Sequence, residues 1–306
     1  MPVLIGPDTN GFSDAVTFLK QAQDLGVAMH GITYHEYTTS VSSMRAETLA
    51  KMRNATNISG TAELWVGEAG GAAGGGHPGL TDSYSSGLWW LPALGEKAKS
   101  GHSIYCRQDL VGGDYGLLHD DYPWNVAVLD TPTAKENVIT RPDYWSGLLF
   151  KRLMGNGVLE TKDADSSQSA AFYADGDEPA LLSYCHCSRR FDQGLAVLLV
   201  NPADANTTVT MQFTPSAASG PEHRTGSQWD AIIYRLTPGP NSTDILLNGE
   251  LLQVTPSRDA LGWFMPSLDG RNVSNTGDTH TVMMERQSYL FIEYPNAMVS
   301  ACAYSQ

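Results

Sequence analysis

The segment Leu64-Trp65-Val66-Gly67-Glu68-Ala69-Gly70-Gly71-Ala72-Ala73-Gly74-Gly75-Gly76 joins a short apolar run to a glycine-rich stretch, with a carboxylate at the junction. In barrels of alternating strands and helices, catalytic side chains lie where the strands end. The glycines that follow let backbone N–H groups approach a ligand closely, because they carry no Cβ. The pattern indicates an enzyme strand that presents Glu68. The alternative is a glycine-rich surface linker that follows a glutamate by chance.

Apolar runs and helical stripes alternate over the first half of the chain. Strands are predicted at residues 3–5, 27–34, 64–66 and 103–107, and helices at residues 13–25, 45–54, 82–94 and 142–154. Gly26 and Gly95 are expected to end the first and third helices. Cys106 lies in the fourth strand and is expected to be a small buried side chain. Four strand–helix units of this size are typical of a parallel α/β array.

After Gly157 the sequence changes to short runs rich in β-branched and aromatic residues, separated by turn clusters of Pro, Gly, Asn and Ser. This pattern of short runs and turns predicts an all-β sandwich of roughly eight strands. The polar stretch Lys162–Ser167 resembles a linker. We therefore expect two domains, residues 1–157 and residues 158–306.

Composition limits the classes of partner. The chain has 306 residues and a net charge of −14, and it contains no basic stripe that could neutralise phosphates. Nucleic acids and anionic membranes are therefore not expected partners. An acidic protein can still bind an acidic sugar where local donors outweigh the global field. No apolar run approaches the length of a membrane span, and no signal peptide is expected because Met1-Pro2 leads directly into a predicted strand.

Five Asn-X-Ser/Thr sequons occur, at Asn54, Asn57, Asn206, Asn241 and Asn272. So many sequons in segments that resemble loops indicate passage through a secretory route. We expect a secreted, extracellular-matrix or lysosomal protein. A secreted chain without a signal peptide is expected to be a mature or truncated product.

The four cysteines are Cys106, Cys185, Cys187 and Cys302. Cys185-His186-Cys187 suggests a metal site, but zinc pairs are usually spaced C-x₂₋₄-C and need further ligands. The secretory interpretation favours a disulfide from the sandwich to the C-terminal segment, and we expect it between Cys187 and Cys302. We expect no metal and no cofactor.

Several spaced motifs resemble, in the same order, the heparanase-like endo-β-glucuronidases of glycoside hydrolase family 79. They are Gly6-Pro7-Asp8, Thr33-Tyr34-His35-Glu36-Tyr37, Gly67-Glu68 with its glycines, Arg107-Gln108 with Tyr115, Pro142 to Leu149, and Leu247-Asn248-Gly249. The resemblance covers nearly the whole chain and is strongest from Leu64 to Gly155. It implies a retaining glycosidase on a (β/α)₈ barrel with a β-sandwich beside it, acting on glycans that contain glucuronic acid.

The resemblance also implies roles for particular residues. Glu68 matches the nucleophile, and the segment around Gly74 and Gly75 matches backbone that holds the uronic acid carboxylate together with Tyr115. Further matches are a sugar-contacting position at Gln108 and cleft-lining positions at His35 and Tyr37. The alternatives are a packed histidine at a strand end and an aromatic side chain at the rim of the cleft.

One departure from the family pattern concerns the acid/base. The family places this glutamate in an Asn-Glu-Pro-type motif at the end of the fourth barrel strand, and this chain contains no Asn-Glu-Pro. Met1 aligns with the start of the fifth strand, so the chain is expected to hold barrel units five to eight without the acid/base. A retaining mechanism needs both carboxyl groups, so turnover by the chain alone is expected to be severely impaired.

Three accounts fit this departure. The simplest is a truncated gene model of a full enzyme. The others are a fragment that assembles with a separate N-terminal barrel chain, and a carbohydrate-binding remnant without turnover. A half-barrel by itself is expected to be loosely packed or self-associated, because both outer strands of its sheet lack neighbours.

Overall fold

The computed structural model describes residues 3–56, 62–118, 140–161, 181–212, 228–256, 263–276 and 279–303. Its contacts divide the chain into two compact units. Unit one holds the described residues up to Tyr144, with Ser242–Asp244 and the described part of Gln253–Met265, and unit two holds the rest. The stretch Lys162–Ser167 lies outside the described residues, and the domain boundary near residue 157 stays a prediction.

Unit one is built around a parallel sheet of four strands that neighbour each other in chain order. The strands are β1 (Ile5–Thr9), β2 (Gly31–Tyr37), β3 (Glu63–Gly70) and β4 (His102–Arg107). The helices between them are α1 (Phe12–Asp24), α2 (Val41–Ala46), α3 (Leu49–Thr56) and α4 (Gly87–Lys99). The predicted parallel α/β array is confirmed for the described residues.

The core of unit one lies between this sheet and its helices. Ile32 and Tyr34 of β2 pack with Leu64 and Val66 of β3. Three side chains of α1 complete this core, namely Phe12, Ala15 and Leu19. Because successive side chains of a strand point to opposite faces, the residues between these positions point away from the helices. His35 and Tyr37 alternate with these inward-facing residues of β2, so they project from the other face of the sheet. Both lie near the carboxyl end of the strand.

The single helix predicted at residues 45–54 is wrong. Two helices occupy this segment, and Glu47 between them is extended, with φ −107° and ψ 120°. The hydroxyl of Thr48 then accepts a hydrogen bond from the backbone N–H of Lys51 at 3.0 Å. A threonine that caps a new helix in this way satisfies a donor that has no partner within the helix.

The predicted end of the third helix at Gly95 is also wrong, because α4 continues to Lys99. Glu96 and Lys97 are buried on its inner side, and Lys97 Nζ lies 2.5 Å from Glu36 Oε1 of β2. The helix ends instead before Gly101, whose φ of +86° suits the residue that follows a helix.

Cys106 is not the buried side chain that the sequence predicted. It is exposed, whereas its neighbour Tyr105 packs on Trp90 of α4 with ring centroids 5.5 Å apart. Adjacent residues of β4 face opposite sides of the sheet, so Cys106 points away from the helices. Membership of a strand therefore does not by itself make a side chain buried, because alternate residues face opposite sides of the sheet.

Unit two contains antiparallel sheets. Its strands are β5 (Met154–Leu159), β6 (Leu182–Ser188), β7 (Leu195–Asn201), β8 (Thr207–Gln212), β9 (Gln228–Pro238), β10 (Ile245–Leu247), β11 (Glu250–Leu251), β14 (Arg271–Thr276), β15 (Thr279–Met284) and β16 (Ser288–Tyr294). The largest sheet among the described residues has the order β11-β10-β9-β16-β7-β6-β5, with β14 also paired to β9, and a separate pair joins β8 and β15. Strands β12 (Thr255–Pro256) and β13 (Trp263–Phe264) pair within unit one, and helix α5 (Pro142–Leu153) contains the division between the units.

A disulfide joins Cys187 of β6 to Cys302 near the C-terminus, which is the pair expected from the sequence. Both cysteines belong to an apolar cluster of unit two, with Leu199, Leu290 and Ile292. Cys187 is therefore not available as a metal ligand. Within the described residues, no helix is long and apolar enough to cross a membrane.

Candidate active site

Glu68 and His35 lie side by side at the carboxyl end of the parallel sheet. The register of β2 and β3 pairs His35 with Glu68, after an irregularity that follows Tyr34. His35 Nε2 lies 3.7 Å from Glu68 Oε2. The Glu68 side chain keeps 30% of its exposure. The sheet therefore presents an accessible carboxylate beside an imidazole.

Tyr37 holds one oxygen of this carboxylate. Its hydroxyl donates a hydrogen bond to Glu68 Oε1. Burial raises the pKa of the Tyr37 phenol, and the hydrogen bond to Glu68 raises it further. The phenol therefore remains a donor at neutral pH, and Glu68 Oε1 is engaged while Oε2 faces His35.

A second carboxylate, which the sequence analysis did not select, lies at the same end of the sheet. Asp8 of β1 places Oδ2 3.2 Å from His35 Nε2. Its backbone has a φ of 63°, an uncommon conformation for a residue other than glycine. In the sequence, Gly6-Pro7-Asp8 is one of the motifs that carry the family resemblance, which assigns Asp8 no role. The proximity to His35 depends on strand register, which local sequence does not determine.

The glycine loop is joined to the turn that carries Tyr115. The backbone N–H of Asp114 donates to the carbonyl of Gly75 at 2.5 Å, and Thr81 Oγ1 donates to the carbonyl of Asp114 at 2.8 Å. A Cβ on Gly76 would lie 2.8 Å from the backbone nitrogen of Tyr115. The two segments therefore approach each other as closely as glycine permits.

These contacts bring Tyr115 to the site. Its ring centroid lies 6.4 Å from that of Tyr37. Gly74 and Gly75 have φ angles of +74° and +103°, and a Cβ built on either would meet nothing within 4 Å. Backbone in this left-handed region beside open space can expose N–H groups to a ligand. Gln108 reaches the same end of the sheet, where its backbone N–H donates to the carbonyl of Ala69 at 2.8 Å.

Arg107 holds the turn that carries Tyr115, a role that was not predicted from the sequence. Its Nη2 donates to the carbonyl of Tyr115 at 2.9 Å and lies 2.8 Å from Asp143 Oδ2. The guanidinium lies over the rings of Trp89 and Trp90, 4.6 and 4.8 Å from their centroids. Burial raises the pKa of the Asp143 carboxyl, and the charge of Arg107 opposes that change. Arg107-Gln108 and Pro142-Asp143 are separate motifs in the sequence, and their contact requires the folded chain.

Comparison with known proteins relates this geometry to one family. Residues 4–95 match the family model "Glycosyl hydrolase family 79, N-terminal domain". Baicalin-beta-D-glucuronidase of Scutellaria baicalensis is 30% identical over 256 residues, which cover 82% of this chain and 40% of that protein. Heparanase-like protein 1 of Arabidopsis thaliana is 32% identical over 258 residues (79% and 42%). Heparanase of Bos taurus is 28% identical over 250 residues (78% and 38%). The chain spans less than half the length of these three relatives.

Solved structures share the fold at much lower identity. A 4-O-alpha-L-rhamnosyl-beta-D-glucuronidase from Fusarium oxysporum has a TM-score of 0.55 and 13% identity, over 93% of this chain and 57% of that one. The GH51 arabinofuranosidase from Xanthomonas axonopodis pv. citri has a TM-score of 0.54 and 11% identity, over 96% and 58%. These two likenesses concern the fold alone. By the family match and the sequence relatives together, the chain is a heparanase-like member of glycoside hydrolase family 79.

Proposed function

We propose that this chain supplies the nucleophile and the uronate-binding loop of a retaining glycosidase that acts on β-linked glucuronic acid in glycans. The observation that carries the proposal is the setting of Glu68. It lies near the carboxyl end of the parallel strand β3, Tyr37 holds one of its oxygens, and the ring of Tyr115, whose turn is bonded to Gly75, lies 6.4 Å from that of Tyr37. The relatives named as a β-D-glucuronidase and a heparanase support the substrate class.

In the first chemical step, Glu68 Oε2 attacks the anomeric carbon and forms a glycosyl ester. The bond from that carbon to the leaving oxygen breaks, and the leaving oxygen takes a proton from the acid/base. Water then attacks the same carbon and gives a proton to the acid/base, which releases the sugar and regenerates Glu68. Tyr37 keeps its hydrogen bond to Oε1 during both steps, so the attacking oxygen stays oriented.

Recognition of the uronate falls to neutral donors. Asp8 and Glu68 are acidic, and a bound glucuronate brings a further negative charge. The backbone N–H groups of Gly74 and Gly75 and the hydroxyl of Tyr115 would donate to that carboxylate, because charge-assisted hydrogen bonds are strong. Gln108 would contact the sugar. We assign His35 to the support of Glu68.

In this proposal, unit one is the half of a (β/α)₈ barrel formed by units five to eight, and unit two is a β-sandwich. The order β1-β2-β3-β4 with intervening helices is what consecutive barrel units produce. The acid/base carboxylate would come from a polypeptide segment outside the described residues. A carbohydrate-binding protein without turnover is the alternative, because no Asn-Glu-Pro sequence is present.

We also propose a secretory route. Four sequon asparagines, Asn54, Asn206, Asn241 and Asn272, are exposed, as glycan attachment requires. Asn57 lies outside the described residues. The disulfide between Cys187 and Cys302 supports an oxidising compartment.

A mechanism-based label tests the function. 2-Deoxy-2-fluoro-β-glucuronosyl fluoride needs no acid for its first step, because fluoride leaves without a proton. The fluorine at C2 slows hydrolysis of the ester, so the glycosyl-protein accumulates. We expect the intact mass of the chain to increase by one fluoroglucuronosyl group. The matched glucosyl fluoride, which lacks the carboxylate, should react at least about tenfold more slowly, because it loses charge-assisted hydrogen bonds.

The outcomes separate the candidate functions. Absence of labelling, together with measurable binding of glucuronate, would favour the carbohydrate-binding alternative. Equal labelling by the two fluorides would contradict the assignment of the uronate site. Absence of both labelling and binding would remove the proposed function of this chain.

A further inference from the structure

The surroundings of Asp8 are shaped to admit its carboxylate. A Cβ built on Gly67 of β3 would lie 2.0 Å from Asp8 Oδ1 and 3.2 Å from the Cβ of Thr33. A larger residue at position 67 would therefore expel the Asp8 carboxylate from its place. Asp8 itself has a φ of 63°. The missing side chain of Gly67 and the positive φ of Asp8 together allow the Asp8 carboxylate to lie at this position.

The carboxylates of Asp8 and Glu68 face one atom, Nε2 of His35. Asp8 Oδ2 is 3.2 Å from this nitrogen, and Glu68 Oε2 is 3.7 Å from it. A ring nitrogen carries at most one hydrogen. The shorter distance is within hydrogen-bond range and the longer one is not. No hydrogen bond with the required angle reaches this nitrogen from the described residues, and the oxygen of Asp8 is the nearer of the two.

We propose that Asp8 is a positioning residue, whose carboxylate attracts a hydrogen on Nε2 of His35 away from Glu68, so that Glu68 Oε2 stays free to attack. The inference rests on the proposed role of Glu68. Tyr37 already engages Oε1. If His35 turned to Oε2, both oxygens of the nucleophile would accept hydrogen bonds, and the attacking lone pair would be less available. Asp8 thus acts through His35 on the reactivity of Glu68.

Two variants of Asp8 test this role. Asp8→Gly removes the carboxylate and tolerates the left-handed backbone, and Asp8→Asn keeps an acceptor oxygen but removes the charge. We expect labelling by the fluoroglucuronosyl fluoride to slow about tenfold in Asp8→Gly and about threefold in Asp8→Asn, since a carboxylate attracts a ring N–H more strongly than a neutral amide oxygen does. The control Asp24→Asn makes the same charge change at an exposed position at the end of α1 and should label at the wild-type rate.

A change at Gly67 reaches the same carboxylate from another strand. Gly67→Ala should displace Asp8 and slow labelling in the wild-type background. In the Asp8→Gly background the same alanine has no carboxylate to displace, so its effect should be smaller. Equal effects in the two backgrounds would show that Gly67 acts independently of Asp8 and would contradict the proposal.

Nitrogen NMR of the histidine rings provides a readout that does not depend on labelling. The chain has eight histidines, and His35→Gln identifies the signal of His35 by its loss. The proposal predicts a proton on Nε2 of His35 in the wild type. It also predicts that the His35 ring signals move in Asp8→Gly and stay in place in Asp24→Asn.

Each result decides one of the two claims. If His35 signals and labelling rates are unchanged in Asp8→Gly, the positioning role is overturned. If the signals move but the wild type is never labelled, Asp8 still positions His35, and the proposed function of Glu68 fails instead. A glycosyl ester found on Asp8 would contradict both claims, because Asp8 would then be the nucleophile.

Discussion

Glu68 in unit one and Glu293 in unit two are glutamates on strands, yet their surroundings differ in kind. Glu293 is fully buried, and it accepts hydrogen bonds from Ser188 at 2.9 Å and from Arg190 and Tyr234 at 3.0 Å each. Glu68 is 30% exposed, with Tyr37 on one oxygen and His35 3.7 Å from the other. Hydrogen-bond donors contact both oxygens of Glu293. In Glu68, Tyr37 donates to Oε1, and Oε2 stays available.

The difference shows how burial and hydrogen-bond donors separate a structural carboxylate from a reactive one. Burial raises the pKa of the Glu293 carboxyl, while the hydrogen bond from Ser188 and the charge of Arg190 oppose that rise. Such a group stabilises its sheet only while its partners remain, because a buried polar group without partners is costly. Glu68 remains accessible and keeps one oxygen available, as a nucleophile requires.

Removing the charge of Glu68 is expected to have the largest effect. Glu68→Gln should reduce labelling by the fluoroglucuronosyl fluoride by roughly a thousandfold or more, since the attacking oxygen is lost. Its fold should be intact, because Glu68 is partly exposed and an amide occupies the same space. Intact-mass kinetics and thermal unfolding measure the two properties. Labelling of this variant at the wild-type rate would remove the nucleophile assignment.

The same substitution at Glu293 should give the opposite result. Glu293→Gln places an NH₂ group among donors and is expected to reduce the free energy of unfolding by about 1.5–3 kcal/mol. Labelling at Glu68 should continue at the wild-type rate. Thermal unfolding and intact-mass kinetics on one preparation would test both points. A labelling defect without a stability loss would contradict the structural role of Glu293.

Arg107→Lys should give a smaller change that is specific to the uronate. Lysine cannot keep the planar contacts with two indoles while bonding both Tyr115 and Asp143. We expect the preference for the glucuronosyl over the glucosyl fluoride to fall about tenfold, with faster hydrogen exchange at residues 112–116. Arg45→Lys, which changes an arginine paired with Glu96 on α4, is the matched control. An unchanged preference would contradict the indirect role of Arg107 through Tyr115.

The smallest predicted effect concerns pH and His102. Burial, with a further contribution from the charge of Lys97, lowers the pKa of the His102 imidazole to about 3, and an unfolded histidine titrates near pH 6.5. Between these values the unfolded state binds the additional proton, so unit one should lose stability as the pH falls from about 6.5 toward 3. His102→Gln should reduce this slope by up to one proton. Hydrogen exchange of β4 across that range measures it, with the exposed His77→Gln as control. An identical slope in His102→Gln would contradict the attribution.

Sequence patterns predicted the parts of this molecule that depend on local order. The apolar run before Glu68 and the glycines around Gly75 are each readable along the chain, whereas His35 and Tyr37 were implied by the family resemblance. The alternation of strands and helices predicted the parallel sheet. The strand order and register of this sheet bring His35, Tyr37 and Glu68 together at its carboxyl end.

The patterns failed where contacts between distant segments decide the structure. Asp8 reaches His35 only because Gly67 of a third strand leaves room for it. Arg107 donates to the carbonyl of Tyr115 while its guanidinium lies over the indoles of Trp89 and Trp90. Cys106 is exposed although it lies within a strand. For Asp8 and Arg107 the decisive partner is far away in sequence and no local propensity reports it, whereas Cys106 is exposed because of the side of β4 that it faces.

The central claim is that the partly open carboxylate of Glu68, rather than any other acid of the chain, is the nucleophile. Peptide mapping of the fluoroglucuronosyl-labelled chain by tandem mass spectrometry tests it most directly. The account predicts a single ester on the peptide that contains residues 62–80, assigned by its fragments to Glu68, and an unmodified Glu293. An ester on Asp8, Glu36 or Glu293, with Glu68 unmodified, would contradict it.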